Sequence, residues 1–200
     1  MPEAGSLGPA SVVAFGLLSA LAWGIADFGG GLASRRATLF GVTLVTQVGG
    51  LVVALGLAIA RAEPWPAPVD LAWSLLSGVI GTAGVLALYG GLAVGRMGVV
   101  APVAGVLGAS VPVLAGIVLE GLPQPIVLAG IGLAVVAVVV VSRVGDAGGG
   151  RSGIELGVIA GLCIGLFNVT ISRIDESLVF WPVSIARTVS IVLVAAVILF

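Results

Sequence analysis

The stretch Gly16–Arg36 reads GLLSALAWGIADFGGGLASRR. Its length and apolar character are typical of a helix that crosses a bilayer, which takes about 20 residues. One carboxylate, Asp27, interrupts the apolar run. An acid inside such a span costs about 2.5–3.5 kcal/mol or more, so it usually faces a cavity or a polar partner. Asp27 is therefore the first candidate site residue, and Trp23 shares its helix face one turn earlier.

The composition of the whole chain indicates a membrane protein. Of its 200 residues, 60% are hydrophobic and 8% are charged, whereas soluble domains carry roughly 25% charged residues. There is no basic patch, which excludes nucleic-acid binding. The chain has no histidine and one cysteine, Cys163. The sequence therefore predicts no metal site, no cofactor and no enzyme active site.

Hydropathy predicts seven membrane spans and hence an all-α, polytopic helical bundle. Three prolines in Arg61–Asp70 predict that this whole segment is a non-helical loop. The predicted spans are 12–33, 39–60, 71–94, 99–119, 125–142, 154–172 and 179–200.

Two segments of the chain align with later segments at nearly the same offset. Gly16–Asp27 falls on Gly157–Asn168 at an offset of 141, which is 157 − 16. Leu39–Gln47 falls on Val179–Arg187 at an offset of 140, which is 187 − 47. The first alignment places Asp27 opposite Asn168, and the second places Gln47 opposite Arg187. Each of these is the one strongly polar residue of its span. The agreement predicts an internal repeat, and the alternative is coincidence in a sequence rich in few residue types.

Five spans precede the predicted repeat boundary. An odd number of spans inserts the second copy upside down, which is the inverted-repeat architecture of many secondary transporters. We expect a first repeat at 1–142, a Gly-rich linker at 143–153 and the start of a second repeat at 154–200. Because the second copy stops after two helices, we expect the sequence to be a fragment or truncated product of a ten-helix protein.

Three runs of sequence, at 22–36, 88–116 and 184–194, resemble the EamA-type family of the drug/metabolite transporter superfamily. The resemblance implies a ten-helix bundle of two inverted five-helix repeats. It also implies export or exchange of metabolites, amino acids or drugs across the bacterial inner membrane. The expected function is a secondary active transporter with solute bound between the repeats, with protons as the expected coupling ion. The alternative is a non-transporting membrane scaffold, an assembly subunit or an inactive half-transporter.

The polar residues within the spans are the candidate binding residues. Asp27 would bind a cationic group or a proton, or would pair with Arg35 or Arg36 at the helix end. If Gly29–Gly31 end the first helix early, Asp27 lies at the membrane interface instead. The expected substrate-binding set is Trp23, Asp27, Gln47, Thr82, Tyr89, Asn168 and Arg187.

The sequence leaves alternatives open for the other residues as well. Trp23 would line the cavity or face lipid, and Asn168 would bind solute or bond a neighbouring helix. Thr82 and Tyr89 would line the cavity or pack at a helix interface. Arg187 would line the cavity, pair with Asp27 or extend its side chain to the interface. Gln47, its repeat counterpart, would bind solute or form a hydrogen bond between helices. Asn168 takes the place of Asp27 in the second copy and cannot ionise.

The positive-inside rule and the family disagree about orientation. The loops after spans one, three and five hold five arginines, and those after spans two, four and six hold two. This bias places the N-terminus outside, whereas the family resemblance suggests a cytoplasmic N-terminus. The expected partners are the lipid bilayer and a small solute, with a homodimer or the missing helices completing the fold.

Overall fold

The computed structural model describes residues 8–144 and 153–199. The described residues form seven α-helices and contain no strand, which confirms the predicted all-α fold. The predicted linker at 143–153 lies largely outside the described residues. The helices are α1 (Pro9–Ser34), α2 (Leu39–Ala60), α3 (Pro68–Val94), α4 (Met97–Glu120), α5 (Pro125–Val144), α6 (Ile154–Ile171) and α7 (Phe180–Leu199).

Proline marks the start of three helices. Helices α1, α3 and α5 begin at Pro9, Pro68 and Pro125. Proline suits this position because the first N–H of a helix has no partner within the helix. The prediction of a non-helical loop over residues 61–70 is therefore wrong at its end: the loop closes at Ala67 and Pro68 starts α3.

The glycines at the end of α1 do not end the helix. The helix continues through them to Ser34. A side chain at Gly30 would meet the Tyr89 ring, and one at Gly31 would meet Leu92. These glycines therefore allow α1 to approach α3 closely. Asp27 lies seven residues before the helix end, about 10 Å along the axis, and so within the span.

Helix α6 packs against both α3 and α4, and a row of its glycines faces α4. A Cβ atom added at Gly161 would lie 2.6 Å from Leu107 Cβ, and one at Gly165 would lie 2.5 Å from Val111 Cβ. Small residues four apart allow helix backbones to approach closely in lipid. The four-residue glycine spacing thus marks a real packing face on α6.

Helix α3 lies at the centre of the bundle and α1 at its edge. Buried residues make up 39% of the apolar part of α3 but 6% of that of α1. Helix α7 packs against α2 and α3. On α1, Gly16 and Gly24 have no atom within 4 Å of an added Cβ, although their repeat counterparts on α6 are tightly packed.

Six of the helices are long and apolar enough to cross a membrane. The six are α1 to α4, α6 and α7. Helix α5 is not among them, and much of its side-chain surface lies outside the described residues. The chain is thus a multi-pass membrane protein.

Most of the buried hydroxyl groups in the described bundle donate within their own helices. Ser74 donates to Asp70 O at 2.6 Å, and Thr82 donates to Gly78 O at 2.6 Å. Thr43, which is fully buried, donates to Leu39 O at 2.9 Å. Such bonds to a carbonyl three or four residues earlier satisfy a hydroxyl where no water is present.

Candidate functional site

A hydrogen-bonded group of three side chains joins α2 to α7. Arg187 Nη1 donates to Gln47 Oε1 at 2.7 Å, and Gln47 Nε2 donates to Ser190 Oγ at 2.6 Å. The arginine side chain has donors only, so the amide oxygen of Gln47 must face it and the amide nitrogen must face Ser190. Gln47 thereby fixes where the guanidinium lies. The hydrogen bond expected between Gln47 and another helix is confirmed.

The guanidinium of Arg187 lies directly against the backbone of α2. A Cβ atom added at Gly50 would lie 2.3 Å from Arg187 Cζ and 2.6 Å from its Nε. The Nε atom is buried and has no hydrogen-bond partner. Arginine carries five N–H donors, and the hydrogen bond to Gln47 uses one of them. The site therefore holds a charged group with donors to spare, about 10 Å into α7.

Tyr89 connects this group to α1. Its side chain is 7% exposed, and its ring packs on Gly30, where an added Cβ atom would lie 2.3 Å from Cζ. The phenol lies close to the Thr46 side chain and within electrostatic range of both Asp27 and Arg187. Tyr89 thus brings polar groups of α1, α2, α3 and α7 near one another.

Asp27 forms the other end of this set. Its carboxylate is half-buried. The alternative pairing with Arg35 does not occur, because Arg35 donates to Leu92 O and Gly95 O at the end of α3, both at 3.1 Å. In the part of the chain that the structure describes, Asp27 and Arg187 form no ion pair. Both lie within electrostatic range of Tyr89 instead.

Three of the predicted binding residues lie apart from this group. Thr82 is buried, but its hydroxyl bonds to its own helix. The Trp23 side chain is 62% exposed, on the outer surface of α1. Asn168 is also exposed. The structure thus brings together Asp27, Gln47, Tyr89 and Arg187, and we call these four residues with Thr46 and Ser190 the polar cluster.

The sequence did not identify Thr46, Ser190 or the two glycine contacts. Ser190 is three residues after Arg187, so it shares that helix face, and this spacing could have revealed it. Thr46 is next to Gln47 but resembles the many hydroxyl residues that bond to their own helix. Gly30 and Gly50 could not have been selected, because the chain contains 32 glycines.

The chemistry available in the polar cluster is that of binding charged and polar groups. It offers guanidinium and amide donors at one end and a carboxylate acceptor at the other. Within residues 8–144 and 153–199, no three residues of the types His, Cys, Asp and Glu lie close enough to hold a metal ion. These features define a multi-pass helical membrane protein with a charged cluster between its helices.

Comparison with known protein families agrees with this class. A model of the EamA-like transporter family matches residues 10–143. The match covers more than half of the chain, so the chain belongs to this family. No curated protein and no solved structure matches the sequence.

Proposed function

We propose that the protein is a secondary active transporter, an exporter or exchanger that moves small metabolites, amino acids or drugs across the bacterial cytoplasmic membrane. The observation that carries the proposal is Arg187, a charged side chain within a span whose buried Nε has no partner. A charge inside the bilayer is costly and usually marks a substrate or ion pathway. Membership of a transporter family supports the same conclusion.

The solute group that suits Arg187 is an anion, in particular a carboxylate. Guanidinium and carboxylate match in charge and can form two parallel hydrogen bonds. Gln47 and the Gly50 backbone hold the guanidinium in place before solute arrives, which lowers the cost of binding. Asp27, at the other end of the polar cluster, accepts a cationic group of the solute or a proton.

Transport then requires the polar cluster to be reached from each side of the membrane in turn. In transporters built from repeats, one group of helices rocks against another around a fixed site. Here the cluster is divided between the predicted repeats, with Arg187 and Ser190 on α7 and the other residues on α1, α2 and α3. Relative movement of α7 and α2 would therefore change the site directly.

Exchange assays in proteoliposomes test this function. The protein is reconstituted, and exchange is measured with labelled alanine, succinate and ethidium, which represent zwitterionic, anionic and cationic solutes. We expect exchange of alanine or succinate that the unlabelled compound inhibits. If none of the three is exchanged, the proposal is contradicted and the non-transporting scaffold is favoured.

Asp27→Asn is expected to separate proton coupling from exchange. Asparagine keeps the size and polarity of the side chain but cannot bind or release a proton. Solute accumulation driven by an imposed pH gradient should therefore disappear, while solute–solute exchange continues. Glu176→Gln, at an exposed loop position, is the matched control and should behave as the unmodified protein. Normal gradient-driven accumulation by Asp27→Asn would rule out the proton-carrying role.

A further inference from the structure

The loop between α2 and α3 caps the start of α7. The Glu63 carboxylate accepts hydrogen bonds from the backbone N–H groups of Val179, Phe180 and Trp181. The shorter of the two bonds from Phe180 is 2.9 Å long, and the bond from Trp181 is 3.2 Å long. The first N–H groups of a helix have no partner within the helix and carry partial positive charge. A carboxylate here makes charge-assisted hydrogen bonds, which are among the strongest in proteins.

Two further contacts join the same two loops. The indole Nε1 of Trp181 donates to Glu63 O at 2.9 Å, and its ring meets that of Trp65 edge to face at 4.8 Å between centroids. The backbone N–H of Asp175, in the loop between α6 and α7, donates to Asp70 Oδ1 at 3.1 Å. We call this set of contacts between residues 61–70 and 175–181 the loop clamp.

A local turn organises the α6–α7 side of the loop clamp. Asp175 Oδ1 accepts hydrogen bonds from Ser177 Oγ at 2.6 Å and Ser177 N at 2.8 Å. Because these bonds favour the charged form, they lower the pKa of the Asp175 carboxyl. The two bonds from Ser177 hold this turn together.

The loop clamp lies above the polar cluster at one end of the bundle. Arg187 follows Phe180 by seven residues, about 10 Å along α7. The clamp joins the predicted first repeat to the predicted second one, so it must break before these helices can separate at this end. A cavity of about 200 Å³ borders Glu63 and is lined by both loops, which gives the Glu63 side chain space to move.

We propose that Glu63 is a gate latch, and that its release from the start of α7 opens a path from this end of the bundle to Arg187. The proposal rests on the proposed function, because a gate matters only if Arg187 meets a solute. Three backbone N–H groups depend on one carboxylate. Loss of this single side chain therefore leaves all three N–H groups without their partner, while the bonds made by Trp181 Nε1 and Asp175 N remain.

A buried reporter cysteine between the loop clamp and the polar cluster tests the latch. Ser184 is 3% exposed and lies three residues before Arg187 on the same helix face. Ser184→Cys is introduced with Cys163→Ser, and labelling by a water-soluble maleimide is followed in lipid nanodiscs. We expect Glu63→Ala to speed labelling about tenfold or more, since it removes several charge-assisted hydrogen bonds. Glu176→Ala, at an exposed position of the α6–α7 loop, should leave the rate unchanged.

A second reporter separates gate opening from general unfolding. Thr43 is fully buried near the opposite end of α2, and Thr43→Cys should be labelled at the same rate with and without Glu63→Ala. Faster labelling of Ser184→Cys alone supports the latch. An unchanged rate at Ser184→Cys, or an equal increase at both reporters, overturns it. The assay contains no solute, so its result does not depend on whether the chain transports one.

Discussion

Replacing Arg187 by glutamine is expected to lower solute exchange about a hundredfold while the helices stay folded. Loss of a charge-assisted contact to a buried anionic group typically costs about 2–5 kcal/mol, and about 2.8 kcal/mol corresponds to a factor of one hundred. Glutamine is chosen because it is uncharged and keeps an N–H donor, on a side chain two bonds shorter than that of arginine. The substitution therefore removes the charge but retains a donor between α2 and α7.

The control for Arg187→Gln is Arg173→Gln. Arg173 lies exposed in the loop between α6 and α7, so its replacement should leave exchange unchanged. Exchange is measured in proteoliposomes at equal protein content, and circular dichroism checks the helix content of each variant. If Arg187→Gln exchanges solute at the normal rate, Arg187 does not bind the solute.

A pair of neighbouring glycines tests whether the position of the guanidinium matters as well as its charge. An alanine Cβ at Gly50 would lie 2.3 Å from Arg187 Cζ, whereas one at Gly49 meets no atom within 4 Å. The flexible arginine can move away from Gly50→Ala, so the fold should survive while the binding geometry is lost. We expect about a tenfold loss of exchange for Gly50→Ala, which corresponds to ~1.4 kcal/mol, and none for Gly49→Ala. Equal exchange by both variants would contradict the proposed positioning.

Gly165→Ala is expected to be the most destabilising single methyl addition among the glycines that the repeat alignment pairs. Its Cβ would lie 2.5 Å from Val111 Cβ and 3.2 Å from the backbone oxygen of Leu107. A backbone atom cannot move aside as an arginine tip can. Overpacking of this kind costs about 1–3 kcal/mol. The expected result is a lower free energy of unfolding and a lower thermal midpoint.

The repeat alignment supplies the control for Gly165→Ala. Gly24 occupies the equivalent position, since 24 + 141 = 165, and it has no atom within 4 Å of an added Cβ. In this chain Gly24→Ala should leave stability unchanged or raise it slightly, because alanine favours helix over glycine by up to about 1 kcal/mol. Both variants are compared by reversible unfolding in mixed detergent micelles. Equal destabilisation of the two would mean that the gap around Gly24 closes in solution.

The positions of the helices could be predicted from the sequence because lipid imposes a simple rule. A helix that spans the bilayer needs a long apolar run, and the predicted spans agree with the observed helices to within three residues at each described end. The predicted start of α3 is three residues late, because the prolines of residues 61–70 predict a loop. Proline is strongly disfavoured in the interior of a regular helix but is well tolerated in its first turn.

Gln47 and Arg187 were both candidate residues from the sequence, but the hydrogen bond between them was not predicted. The alignment at an offset of 140 placed Gln47 opposite Arg187, and these two residues are hydrogen-bonded. Positions related by a repeat need not touch. These two do so because α2 and α7 pack against each other.

The remaining contacts depend on features that a single sequence does not encode locally. Glu63 is one of several acids near helix ends, and its three N–H partners become apparent only when the loop meets α7. Trp23 is a candidate because it shares a helix face with Asp27, and Asn168 because it aligns with Asp27 in the second copy. Both are exposed, and the side on which a polar residue of a span lies is set by tertiary packing.

The seam between α6 and its neighbours has a mechanical consequence. It consists largely of glycines set against aliphatic side chains, such as Gly161 against Leu107. Hydroxyl groups near it, including those of Thr82 and Thr170, donate to their own helices. One helix can therefore slide along another here without exchanging these hydrogen-bond partners, because each hydroxyl keeps its bond within its own helix. The hydrogen bonds that oppose movement are then those by which Glu63 of the loop clamp and Gln47 of the polar cluster hold α7.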